Sequence, residues 1–116
     1  VPLDEIIEQV AAREKVVSSY TGRRLAIPHA RLPGLTQPLV VLARLSAPMP
    51  APVRDESIML LLILLTPSNA PRIHQILLSH IAGIFSSEFL EDRLCRVSSS
   101  TELHKTICTA EQIVLA

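Results

Sequence analysis

Four histidines are the distinctive ionisable side chains of this sequence. His29 lies in "GRRLAIPHARLPG", directly behind an apolar run and a proline. A buried strand end has no use for an imidazole. A connecting segment beside a rigid strand does, because reactive groups are commonly displayed there. An imidazole with an ordinary pKa near about 6.5 is neutral often enough to attack a phosphorus centre, and it leaves again readily. His29 therefore reads as a loop residue and candidate nucleophile, against the plainer reading of a turn histidine without a role.

His74 falls in the first turn of a helix opened by "PRIH". Backbone N–H groups there lack helical partners and favour anions, so a histidine in that turn can donate to a phosphoryl oxygen. The plainer reading is a surface histidine at a helix start. His80 follows Ile73, Ile76 and Leu77 on one apolar stripe and reads as a core histidine. His104 stands among Ser, Glu and Lys at the opening of the last helix and reads as solvated.

Metal binding is the rival use of His29 and His74. Cys95 and Cys108 form no CxxC, no HExxH is present, and His74 and His80 fall on different helix faces. Neither GxxxxGK[ST] nor GxGxxG occurs, and three glycines in the chain leave little for a phosphate-cradling loop. The expectation is no metal and no cofactor, so a phosphoryl group would arrive on something other than a tightly held nucleotide.

These residues need a scaffold, and the composition supplies one. The 116 residues are 48% hydrophobic and 19% charged, enough for a single packed domain. Eleven basic residues balance eleven acidic ones, so nothing electrostatic favours nucleic acid or an anionic lipid surface. One tyrosine and two phenylalanines provide no stacking platform for bases. The two cysteines read as reduced thiols, buried or half-buried, in a cytoplasmic protein. The longest apolar run, Ile58 to Leu65, is far short of the roughly 20 residues a membrane helix needs, so this domain is not expected to insert into a membrane. The chain opens at Val1, close to a helix start, which reads as one domain excised from a longer polypeptide and short at its N-terminal end.

Along the chain, "LDEIIEQVAAREK" predicts a helix with Asp4 as its cap. "VVSSYTGRR" reads as a connection, "LAI" as a short strand ended by Pro28, and "RLPGLTQP" as a loop. "LVVLARLS" predicts a strand, and the prolines of "APMPAPVRD" exclude a central strand or helix interior. "SIMLLLILLTP" is apolar without alternation, the pattern of a strand covered on both faces. Three helices follow, within "PRIHQILLSHIAGIFSS", "SSEFLEDRLCRV" and "SSSTELHKTICTAEQI", the last with a capping box from Ser99 to Glu102. The expected fold is α/β, an α+β sandwich in which a mixed sheet of about four to five strands is flanked by helices on both faces.

"REKVVSSYTGRRLAIPHAR" resembles the signature of the enzyme IIA domain of the bacterial sugar phosphotransferase system, fructose–mannitol type, which nitrogen-regulatory enzyme IIA proteins share. The likeness continues through "IMLLLILLTP", through "HQILLSHIAGIF", and more weakly into "SSSTELHKTI". It implies that His29 accepts a phosphoryl group from an HPr-like phosphocarrier and passes it to a IIB domain. It further implies that Arg13, the arginine of "REK", lies near the phosphorylated imidazole, and that His74 supports the phosphoryl group. Charge-assisted hydrogen bonds from Arg13 and His74 suit the roughly −1.5 to −2 charges that phosphorylation brings.

The sequence also departs from the family pattern. Arg23 and Arg24 stand where glycine is common, which bears on how HPr would dock, and "APMPAP" replaces a segment that often contains an aromatic. Two uses of the same residues follow from the resemblance. One is phosphoryl relay from HPr to a IIB domain in sugar uptake. The other is a regulatory module fused to an ion antiporter, a transporter or a transcription regulator. A plain interaction domain with His29 as a relic is the third and weakest.

Overall fold

The computed structural model describes the backbone of residues 2–16 and 18–115 and the side chains of residues 2–15 and 18–110. Helix α1 spans Leu3–Val16, with Asp4 and Glu5 in its first turn and Arg13 and Lys15 in its last, the charge order that the helix dipole favours. Asp4 is therefore inside the helix and not its cap. The Ile6 N–H reaches back to the Pro2 carbonyl at 3.2 Å. Of the connection expected after this helix, Val17 lies outside the described residues.

Four strands follow: β1 (Leu25–Ala26), β2 (His29–Leu32), β3 (Leu39–Pro50) and β4 (Ser57–Pro67). Three helices complete the chain, α2 (Pro71–Ile84), α3 (Glu88–Arg96) and α4 (Ser100–Leu115). β4 pairs with all three other strands. Along one flank β1 runs parallel to it at Leu60 and Leu61, and β2 runs parallel to it from Leu64 to Pro67. Along the other flank β3 runs antiparallel, Leu39 opposite Leu65 and Arg44 opposite Leu60.

Ile27 and Pro28 separate β1 from β2, and the Leu64 N–H donates to the Pro28 carbonyl at 3.0 Å across this break. Pro28 therefore interrupts the strand without ending it. Its carbonyl still accepts from β4, and β4 is long enough to receive a second parallel segment. The expectation that His29 and Arg31 lie in a loop is corrected: both belong to β2. β3 also runs further than "LVVLARLS". It continues through Pro48 to Pro50 after a register shift between Arg44 and Met49, which prolines tolerate on an edge strand.

The core lies on the two faces of β4. Leu60, Leu62 and Leu64 are 0–3% exposed and pack with Leu25 against Ile81, Ile84, Phe85, Leu90, Leu94, Val97 and Leu103. Each such leucine contributes about 1.5–3 kcal/mol by leaving water. On the opposite face Ala30, Leu32 and Leu65 lie beneath Ile6 and Val10 of α1. Helices thus cover both faces, as expected. The cover is unequal, because Met59, Leu61 and Ile63 are only half-buried.

α2 buries a different stripe from the expected one. His74, Ile81 and Ile84 are buried, Leu77 and Leu78 half-buried, while Ile73 and Ile76 are 44% and 58% exposed. The stripe read from the sequence was one residue out of phase at its N-terminal end, where imidazole occupies the inward position. α4 opens on half of the expected capping box. The Ser99 hydroxyl accepts from the Glu102 N–H at 3.1 Å, but the Glu102 carboxylate accepts from the N–H and hydroxyl of Ser98, at 3.0 and 2.9 Å. Cys95 and Cys108 are free and half-buried. No helix among the described residues is long and apolar enough to cross a membrane.

Candidate functional site

β2 aims His29. In its parallel register His29 lies opposite Leu64 and Arg31 opposite Thr66, so side-chain alternation sets both on the sheet face that α2 covers. The ring is fixed locally as well. His29 Nδ1 stands 2.7 Å from the Ile27 carbonyl. A carbonyl only accepts, so Nδ1 carries the proton and Nε2 is left with the lone pair.

His74 comes from the first turn of α2, which starts at Pro71 where the missing N–H costs nothing. It is 8% exposed and therefore not the surface histidine of the plainer reading. Its ring centroid lies 5.3 Å from that of His29, with the planes tilted by 50°. Its Nδ1 lies 2.6 Å from the hydroxyl of Thr66, a residue with no exposed surface. Burial holds the His74 pKa below the ordinary imidazole range, and the positive fields of His29, Arg31 and Arg13 act in the same direction. Neutral His74 can give a hydrogen bond to an anion and keeps a lone pair on its other nitrogen.

Arg13, exposed near the end of α1, and Arg31, exposed on β2, supply the cations around this pair. Among the described residues the ion pairs are Arg23 with Glu91 and Arg24 with Asp92, so Arg13 and Arg31 are not neutralised by a carboxylate. Two histidines backed by two uncompensated guanidinium groups form a surface suited to a doubly charged tetrahedral anion. The sequence reading had no use for Arg31 or Thr66. The signal was "HAR": once His29 is on a strand, the residue two positions on shares its face. For Thr66 the signal was the parallel register, which no single sequence displays.

Arg23 and Arg24, which stand where glycine is common in the family the sequence resembles, turn away from the site. Arg23 donates to the Phe85 carbonyl at 2.8 Å, and its Nε stands 3.8 Å from the Glu91 carboxylate. Burial pushes the Glu91 carboxyl up, against the opposing pull of Arg23 and Arg24. Arg24 bonds Asp92 and adopts φ 63°, the left-handed region where glycine costs least.

The other candidates separate from the site. His80 is half-buried and lines a cavity between β3, α2 and α4 together with His104 and Cys108, so it is not a core histidine. His104 is exposed, as expected. That cavity and a second one between α3 and α4 are not lined by His29 or His74, whose rings meet where β2 adjoins the start of α2. Among the described residues no three His, Cys, Asp or Glu side chains are grouped to hold a metal ion.

Residues 1–109 match the family model described as phosphoenolpyruvate-dependent sugar phosphotransferase system, EIIA 2. A nitrogen regulatory protein of Pseudomonas aeruginosa is 34% identical over 103 residues, which are 88% of this chain and 67% of that protein. The crystal structure of nitrogen regulatory protein IIA-Ntr from Neisseria meningitidis superposes with a TM-score of 0.81 at 34% identity, over 90% of this chain and 72% of that one. IIA mannitol from Escherichia coli shares the fold at 18% identity, with a TM-score of 0.75 over 92% of this chain and 76% of that one.

Proposed function

From the premise that this chain belongs to the EIIA 2 family of the phosphoenolpyruvate-dependent sugar phosphotransferase system, we propose that it is a phosphohistidine carrier whose phosphoryl acceptor is His29. The observation that carries this reading is the 2.7 Å contact of Nδ1 with the Ile27 carbonyl, which leaves Nε2 as the nucleophile. Nε2 attacks phosphorus, the bond from phosphorus to the donor breaks, and a P–Nε2 bond forms. The positive charge arising on the ring is spread towards Nδ1–H, whose hydrogen bond to the Ile27 carbonyl stabilises it. His74, Arg13 and Arg31 stabilise the phosphoryl oxygens. Positioning and electrostatics of this kind account for most catalysis of phosphoryl transfer. The donor and acceptor in this reading are themselves proteins: an HPr-like phosphocarrier on one side and a IIB domain on the other.

A second reading concerns use rather than chemistry. Both relatives at 34% identity are named nitrogen regulatory proteins, which favours a regulatory module controlled by the phosphorylation state of His29. The test is incubation of the chain with phosphoenolpyruvate, enzyme I and HPr, read by intact mass without acid, beside a His29→Ala control. One acid-labile phosphoryl group, absent from the control, is the expected result. No gain with a folded chain and a matched HPr overturns the carrier reading. Addition of a IIB domain then separates the two uses: transfer onward supports sugar uptake, and retention on His29 supports regulation.

A further inference from the structure

The Thr66 hydroxyl has a single polar partner among the described residues, His74 Nδ1 at 2.6 Å. It is fully buried. If His74 carried its proton on Nδ1 and donated to Thr66, the threonine proton would be enclosed with no acceptor, which is costly for a buried hydroxyl. If the hydroxyl donates to Nδ1, every proton has a place: that of Thr66 on the imidazole lone pair, and that of His74 on Nε2. We infer that Thr66 is a positioning residue that fixes His74 as its Nε2–H tautomer, so that the ring beside His29 presents a hydrogen-bond donor to the transferred phosphoryl group.

The inference rests on the carrier reading for its purpose, but its structural half stands alone. Donation from Thr66 occupies Nδ1 and leaves Nε2–H as the only donor of the neutral ring. That ring stands 5.3 Å from His29, centroid to centroid, the separation at which one tetrahedral anion can touch both. The titratable and charged groups facing His74 are His29 and Arg31 on β2 and Arg13 on α1. All three disfavour the imidazolium, in which the tautomer question would disappear. In the neutral ring the proton's location has to be fixed by a neighbour, and Thr66 is within hydrogen-bond reach of Nδ1. The parallel register makes this possible. Thr66 is opposite Arg31 and two residues beyond Leu64, the partner of His29, so β4 delivers the hydroxyl to the face that β2 gives to both site residues.

The experiment uses the full chain labelled with 15N and compares wild type with Thr66→Val, which keeps shape and loses the hydroxyl, and Thr66→Ser, which keeps the hydroxyl. Two-bond nitrogen–proton correlations above the imidazole range report each tautomer, with His74→Gln identifying the His74 signals. Wild type and Thr66→Ser are expected to show His74 protonated on Nε2, and Thr66→Val a mixture or the Nδ1–H form. Phosphorylation by HPr is expected to slow about tenfold in Thr66→Val and to recover in Thr66→Ser. A wild-type His74 protonated on Nδ1 overturns the inference, as does a Thr66→Val ring unchanged in tautomer. An altered tautomer with an unaltered rate removes the role in transfer. If Thr66→Val does not fold, the wild-type and Thr66→Ser tautomers decide. Absence of phosphorylation in every variant including wild type overturns the carrier reading and leaves the tautomer result standing.

Discussion

The rings of His29 and His74 stand 5.3 Å apart although β3, β4 and three connections separate them in the chain. One hangs from a two-part parallel segment, the other from the first turn of a helix. Both positions are set by the C-terminal half of β4.

His74 is expected to speed phosphorylation without being required for it. His74→Gln removes an imidazole donor from beside the phosphoryl group and should slow transfer from HPr roughly 10²-fold, the usual cost of losing one positioned donor. His29 should still become labelled at long times. Quench-flow measurement of phosphoryl uptake, with mass spectrometry of the end point, checks both statements.

Arg13→Gln and Arg31→Gln should each reduce the rate about tenfold, with the effect shrinking as salt is raised. Both side chains are exposed and, among the described residues, unpaired with carboxylates, so stability should change by no more than about 0.5 kcal/mol. Each substitution should also let His74 titrate at higher pH, because both cations now disfavour its charged form. Proton NMR titration of the ring reads this directly. A His74 titration that stays put in Arg31→Gln would remove Arg31 from the site.

Folding stability should carry the signature of a histidine held neutral. The pKa of His74 is lowered on folding, so between its folded value and the unfolded value near about 6.5 the unfolded chain binds more protons. The stabilisation is therefore fully present above about 6.5 and is lost as pH falls below it. Glu91, raised by burial, works with the opposite sign: its contribution is present at low pH and fades as pH rises through its folded pKa. Urea unfolding of wild type and His74→Gln at pH about 7.5 and about 5.5 isolates the histidine, whose removal should flatten the acid limb.

The stripe that faces the core can be tested by packing. Leu60→Ala empties a fully buried position on β4 and should cost about 2–5 kcal/mol, lowering the thermal midpoint by roughly 10 °C or more. Ile76→Ala, at a position 58% exposed, should fall within about 0.5 kcal/mol of wild type. Equal costs would mean that the sequence-based stripe was the right one.

Much of this arrangement was legible before any coordinates. The eight-residue apolar run became β4 because it has no polar side to give to water, and α4 followed from its cap. His29 and His74 stood out because their neighbours did not explain them. What could not be read was three-dimensional partnership. Pro28 looked like the end of a strand because its missing N–H and fixed φ are local facts, whereas the donation of the Leu64 N–H to its carbonyl is not. Ile73 looked inward because hydrophobicity cannot tell that an imidazole two hydrogen-bonding atoms wide had taken the buried place beside it. Thr66 was overlooked for the same reason, since its proximity to His29 comes through the register of β2 on β4, whereas Arg31 was missed because His29 read as a loop residue.

The bond from Leu64 N–H to the Pro28 carbonyl has a dynamic meaning. Leu64 is fully buried in the main core, and its amide is shared with the residue immediately before His29. His29 therefore cannot swing out on its own as a lid or loop would. Releasing it exposes an amide that otherwise exchanges with solvent only when the core opens, so the Leu64 amide should be among the slowest to exchange its hydrogen. The His29 ring is carried on a backbone tied into the buried core, and whatever docks there meets a strand already held in place.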